Sequence, residues 1–308
     1  MRDYYVGRII KQRRQELGIS QEKLCEGLCD QTTMSRIENG KQEPGRRIVS
    51  VLLQRLDLPE DKFAMLSSKR DLDIINLQYE ILSCNVHDCK EEGLNKINKL
   101  EMILNDNDVV SKQFVLRSKV LLGKKEEEKI IPYELEEKLK ILNQAIVLTV
   151  PKFNTDHIET GLYGIDEMKT INQIALVYYN MGQKKKAFDM YNQMLKYIDL
   201  NFKETQRASK LIPLITYNYA RILCLEKQFS EAYNIAKCGK EACIRYGQYR
   251  YLPGMLALSA ESLHYLNNDA LSEEYYMQAY YIYKATGDKV NAEVIKNDAL
   301  ELLNLKLN

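Results

Sequence analysis

Residues 6–44 read "VGRIIKQRRQELGISQEKLCEGLCDQTTMSRIENGKQEP", and the order of apolar and polar positions in this stretch decides how the fold begins. Leu24, Leu28, Ile37 and, further on, Val51 have the spacing of a small helical core. Gly18-Ile19-Ser20, Asp30-Gln31-Thr32, Asn39-Gly40 and Leu58-Pro59 cut the segment through Leu66 into short helices, five in all. Ser20 is a good N-cap for a helix starting at Gln21. That helix, over 21–28, leads through a turn at 29–31 into a second, polar-tipped helix over 32–39.

Two short helices joined in this way form the geometry that seats the second one in a DNA major groove. Gln31, Thr32, Thr33 and Arg36 are left facing outward, with Ser35 and Lys41 beside them. Amide, hydroxyl and guanidinium groups of this kind read base edges or grip phosphates. Gln21, at the start of the scaffold helix, suits a backbone phosphate contact. Residues 1–47 carry 10 Lys and Arg against 7 Asp and Glu, while residues 48–308 carry 34 against 36. The basic excess is therefore local, and the nearly cancelling totals of 44 and 43 give the whole molecule no polyanion-seeking field.

Apolar residues recur at helical spacing beyond the first segment, as in Leu72/Ile75/Tyr79/Leu82 and Leu135/Leu139/Leu142/Ile146, and no sustained strand alternation is found. An all-α chain is expected, with most of the six prolines at breaks between helices. Residues 67–90 read as a linker helix and 91–308 as antiparallel helix pairs. The clearest pair is "MKTINQIALVYYNMGQKKKAFDMYNQMLKYI" (168–198), with a turn at Asn180-Met181-Gly182-Gln183. Pairs at 217–239 and 256–288 follow it, pairs over 91–122 and 133–165 precede it, and 288–305 reads as a cap helix. The small and aromatic residues at these offsets resemble tetratricopeptide repeats, which stack into a right-handed α-superhelix, although Ala187 to Ala232 spans 45 residues where 34 is usual.

The first segment resembles the helix-turn-helix of the lambda-repressor/XRE superfamily in the order Ile10, Arg14, Gly18, Ser20-Gln21, Leu24, Ser35-Arg36-Ile37-Glu38-Asn39-Gly40 and Pro44. That resemblance implies that Arg14 and Glu38 tie the first helix to the recognition helix. Between Leu24 and Ser35 the chain is one residue shorter than the commonest XRE spacing, and "GLCDQTTMSRIENG" is similar to the same stretch in Rgg- and PlcR-like regulators. Together with the repeats, this resembles the Rap/Rgg/NprR/PlcR/PrgX group of peptide-pheromone receptors along essentially the whole chain. The group's fold implies a short signalling peptide held in the concave face, with Asn172 and Asn218 at the positions of asparagines that bond the peptide backbone. Asparagine offers both donor and acceptor, so it can hold an extended peptide without choosing its side chains. Tyr179, seven residues after Asn172 and so on the same helical face, would add an aromatic wall, and Lys169 and Arg221 could meet a peptide carboxylate.

Cys84, His87 and Cys89 have part of a zinc spacing but no fourth ligand, and no metal or cofactor is expected. The tyrosines from Tyr275 to Tyr283 suit packing between repeats or at a dimer surface, and "GKKEEEK" (123–129) reads as a solvated loop. Seven cysteines spread over the chain suit reduced thiols. No phosphate loop, nucleophile elbow or catalytic carboxylate pair is present, so an enzyme is not expected. No window has the length and apolarity of a membrane span and no secretory leader pattern opens the chain, which points to a cytoplasmic protein. The expectation is a homodimeric regulator on a pseudo-palindromic DNA operator, with a protein-binding scaffold or a ligand-independent repressor as rivals.

Overall fold

An α-helix leaves its last carbonyls without intrahelical partners, and this chain closes them again and again with the same turn. The computed structural model, which describes residues 5–58, 69–201 and 206–307, shows the turn first after α1 (Tyr5–Glu16). Gly18 takes φ +64°, and the Ile19 N–H donates to the Arg14 carbonyl at 3.0 Å. Gly40, at φ +68°, ends α3 (Gln31–Glu38) in the same way, with the Lys41 N–H on the Arg36 carbonyl at 2.8 Å. The turn returns at Gly182, Lys227, Asn267 and Gly287. After three of these the next residue, Gln228, Asn268 or Asp288, is already the N-cap of the following helix. One short device thus makes hairpin after hairpin.

The chain divides into two compact units, Met1–Met190 and Tyr191–Asn308. The first begins with a head in which α1, α2 (Gln21–Cys25), α3 and α4 (Arg46–Arg55) close around Ile10, Leu24, Met34, Leu52 and Leu56, all fully buried. Ser20 caps α2 as expected, accepting from the Lys23 N–H at 3.1 Å. α2 stops at Cys25, earlier than the spacing predicted, because Gly27 turns the chain at φ +74° and lies against the Thr149 carbonyl. A fifth helix before Leu66 falls outside the described residues.

One buried ion pair holds the head's helices in register. Glu38 is wholly shielded from solvent and takes Arg14 on both oxygens, from Nε at 2.6 Å and Nη2 at 2.9 Å. Arg14 Nη1 donates to the Ile19 carbonyl at 2.8 Å, and the Gln21 amide adds a third bond to Glu38 at 2.7 Å. The bond to Glu38 raises the Arg14 pKa above its ordinary value.

Beyond the head, α5 (Lys69–Val86) packs along α6 (Lys90–Ile103) instead of standing alone as a linker, and α7 (Val109–Leu122) packs along α8 (Leu135–Thr149). The pairing is therefore offset by one helix from the pairs read at 91–122 and 133–165. α5 buries Ile74 and Ile81 and exposes Leu72 and Tyr79, because apolar residues lie on more than one of its faces and contact with α6 and α7 selects among them. The stretch 123–129 forms most of a two-stranded hairpin, β1 (Lys124–Glu126) with β2 (Lys129–Ile131), too short for alternation to reveal. α9 (Ile165–Asn180) and the first turns of α10 (Lys184–Asn201) complete this unit.

In the second unit, α11 (Gln206–Leu225), α12 (Phe229–Tyr246), α13 (Leu252–Tyr265), α14 (Asp269–Ala285) and α15 (Lys289–Leu303) pack each on the next. α11 also touches α13, and α13 touches α15, the stacking of tetratricopeptide-like hairpins. Buried Ala220, Ala232, Ala236, Gly239, Ala260 and Ala279 bring the helices close, and Tyr191 stacks on Tyr219 with centroids 5.0 Å apart. Pro213 lies inside α11, not at a break. It removes one helical hydrogen bond, and burial of Leu211, Ile215 and Tyr219 along the helix outweighs that loss.

Two expectations follow for stability, both measured by urea unfolding with circular dichroism. Glu38→Ala strips Arg14 and the Gln21 amide of their acceptor and should cost about 3 kcal/mol; a loss under about 1 kcal/mol would remove the pair from its role in the head. Lys227→Gly should stabilise, and Gly182→Ala destabilise, by about 1 kcal/mol each, because Gly182 has open space around it and only backbone conformation is at stake.

Candidate nucleic-acid interface

α3 is built to present its N-terminus. Asp30 caps it, accepting from the Thr33 N–H at 2.7 Å and from the Thr33 hydroxyl at 2.7 Å. These bonds hold the Asp30 carboxyl below the usual carboxylate range, so the cap contributes above that range and is lost only as the pH falls through the lowered value. Gly40 stops the helix after two turns, and Met34 and Ile37 anchor its inner face.

Of the outward residues read from the sequence, Gln31, Thr32, Arg36 and Lys41 are exposed. Thr33 and Ser35 are half-buried and engaged locally, Thr33 with Asp30 and Ser35 with the Asn39 amide, which donates to the Ser35 carbonyl at 2.9 Å and lies 3.4 Å from its hydroxyl. The Gln21 amide is spent on Glu38, which makes it part of the scaffold. Lys11, bonded to Asn39 at 3.2 Å, adds a cation beside the end of α3 that the sequence reading did not single out. What remains is a surface with one amide, one hydroxyl and three cations on a rigid frame, suited to base edges and phosphates.

A second feature, the joint behind the head, was not read from the sequence. Arg55, at the end of α4, is buried and donates from Nη1 to the Leu24 and Glu26 carbonyls, both at 2.8 Å, and from Nη2 to the Thr149 carbonyl at 2.9 Å. The neighbouring Gln54 accepts the Ile165 N–H at 2.8 Å, at the start of α9. Arg47 pairs with Asp108 at 2.6 Å. The one sequence signal for this joint is an arginine four residues after Val51, within the apolar run "VSVLLQRL" (49–56), where a charge belongs only if something pairs it.

The peptide candidates divide between the two units. In the first, Asn172 is buried at 3% exposure, Tyr179 is half-buried, and Lys169 lies 3.7 Å from Asp166. In the second, α11 carries Asn218, half-buried, and Arg221, exposed. The cysteines are free thiols; burial pushes Cys29 and Cys224 up to about 12 and Cys243 up to about 11. Cys84 is buried and Cys89 exposed, and among the described residues no group of three or more His, Cys, Asp or Glu side chains is placed to hold a metal. Among the same residues no helix is long and apolar enough to cross a membrane.

Comparison with known proteins fits this geometry. Residues 10–63 match the helix-turn-helix family HTH_3. Over its length the chain is similar to PlcR of Bacillus thuringiensis, solved in complex with the peptide PapR7 and DNA, with a TM-score of 0.61 at 20% identity over 95% of this chain and 99% of PlcR. It is also similar to the competence regulator ComR from Streptococcus vestibularis, solved with its cognate signalling peptide XIP, with a TM-score of 0.51 at 16% identity over 98% and 99% of the two chains. Apo ComR from S. thermophilus gives 0.54 at 16% identity over 96% and 98%. No curated protein matches the sequence. Residues 10–63 are thus a helix-turn-helix domain, and the chain carries it ahead of tetratricopeptide-like helix pairs in the fold of PlcR and ComR.

Proposed function

We propose that this chain is a cytoplasmic transcription regulator whose head, residues 1–66, binds operator DNA and whose hairpins, residues 91–308 beyond the helix at 67–90, sense a short signalling peptide and dimerise. The observation that carries the reading is full-length likeness to a protein solved with both a peptide and DNA, in a chain whose own α3 presents Gln31, Thr32 and Arg36 to solvent with exposed Lys41 just beyond its end. Arg36 contacts base edges or phosphate, and the head alone covers only a few base pairs, so two copies bind a pseudo-palindrome. The peptide-contacting candidates are Asn172, Tyr179 and Lys169 on α9 and, taken separately, Asn218 and Arg221 on α11: the asparagines suit bonds to a peptide backbone, Tyr179 suits a wall for its side chains, and Lys169 and Arg221 suit its carboxylates. Peptide binding favours one arrangement of the hairpins over another and so changes the DNA affinity.

Fluorescence anisotropy of the purified protein on the DNA upstream of its own gene tests this, at two salt concentrations and with a peptide-sized fraction of spent medium. Binding should be sequence-selective, weaken at higher salt and change with the fraction. Arg36→Ala should weaken it by about 1–3 kcal/mol with helicity intact; unchanged affinity would remove Arg36 from the interface. Asn218→Ala should keep the DNA affinity and lose the response to the fraction. A response that survives both Asn172→Ala and Asn218→Ala would place the peptide elsewhere.

A further inference from the structure

Glu261 and Asp298 are half-buried carboxylates on α13 and α15, two helices of the second unit that touch each other. A shielded carboxylate ordinarily holds a cation, and neither of these has one among the described residues. The cations nearest to them in sequence are committed elsewhere: His264 lies 2.8 Å from Asp269, and Lys296 lies 3.9 Å from Glu293. What stands beside the pair is more acid. Burial pushes the Glu261 carboxyl above its ordinary range and the charge of Asp298 pushes it further, while burial and then the charge of Glu301 push Asp298 up. A bond from the Cys224 thiol of α11 to Glu261 offsets only part of this.

A third group points to a ligand. Tyr276, on α14, is 1% exposed, yet its hydroxyl has no hydrogen-bond partner among the described residues and feels the charges of both Glu261 and Asp298. A buried phenol normally finds a partner, so this one stands unused beside two unmatched carboxylates. Burial, and then those two charges, keep the hydroxyl neutral and able to accept. Two carboxylates and one hydroxyl offer three oxygen acceptors, which match the three N–H donors of an ammonium. No metal-ligand set among the described residues includes these acids. We infer that Glu261, Asp298 and Tyr276 bind a primary ammonium group, carried by a lysine side chain of a peptide or by a polyamine. The peptide source rests on the function proposed above, whereas the ammonium site rests on the second unit alone.

Thermal unfolding of the full-length chain with spermidine or with the peptide acetyl-Gly-Lys-Gly-amide, each against sodium chloride at equal ionic strength, tests the inference. At a hundredfold excess over Kd the midpoint should rise by about 5–10 °C. The Glu261→Gln/Asp298→Asn double variant should abolish the rise without lowering the midpoint of the free protein, because it removes two unmatched charges and keeps their shape. The rise should persist in Glu241→Gln/Glu274→Gln, which takes the same charge from exposed positions. Tyr276→Phe should weaken binding about tenfold by calorimetry. A rise with the peptide alone, lost when its lysine is acetylated, assigns the site to a peptide, and a rise with spermidine alone assigns it to a polyamine. No rise beyond chloride with either probe, or a rise that the Glu261/Asp298 variant keeps, overturns the site. That failure would leave the response to the spent-medium fraction, read through Asn172 and Asn218, as it was, so the two readings fail separately.

Discussion

A residue in the left-handed region after a helix is the constraint on which the rest of this chain depends. It lets the backbone turn back within a few residues while the last carbonyls of the outgoing helix find N–H donors. Where the residue is Gly182 or Gly287 the conformation costs little, and where it is Lys227 or Asn267 the packing of the two helices it joins outweighs the strain. In the head the same device has another use. Gly40 keeps α3 to two turns, so its N-terminus stands clear while Met34 and Ile37 hold it down.

Buried charge gives the head its definition. A pair such as Arg14 and Glu38 contributes little net stability over an apolar replacement, yet its bidentate geometry admits one register of α1 against α3. Arg55 acts differently, since its main partners are backbone carbonyls from the head turn and from the end of α8. Those carbonyls sit where helices end and need donors, so the guanidinium satisfies them, while buried Glu167, 4.0 Å from Nη2, faces its charge.

The features legible in the sequence were local ones. The Ser20 cap, the stop at Gly40, the turn at Gly182 and the core positions Leu24, Leu28 and Ile37 follow from chemistry within a few residues. The link between Arg14 and Glu38 came from resemblance, and the bonds bear it out. Exposure on α3 was read correctly for Gln31, Thr32 and Arg36, whereas Gln21, Thr33 and Ser35 are engaged by Glu38, Asp30 and Asn39. Side-chain bonds to a cap or a buried acid leave no mark on periodicity. Nor does the face that α5 buries, the hairpin at 124–131, or Arg55, whose partner Thr149 is 94 positions away. Each depends on what the rest of the chain brings alongside.

The contact between Arg55 and Thr149 also shapes what inheritance can reach. A substitution at Gly27, Thr149 or Arg55 alters neither the surface of α3 nor any peptide candidate, yet it changes how firmly the reading head is seated. In a genetic screen such alleles would resemble substitutions on α3 itself, and second-site suppressors would arise across the joint, in a segment more than ninety positions along the chain.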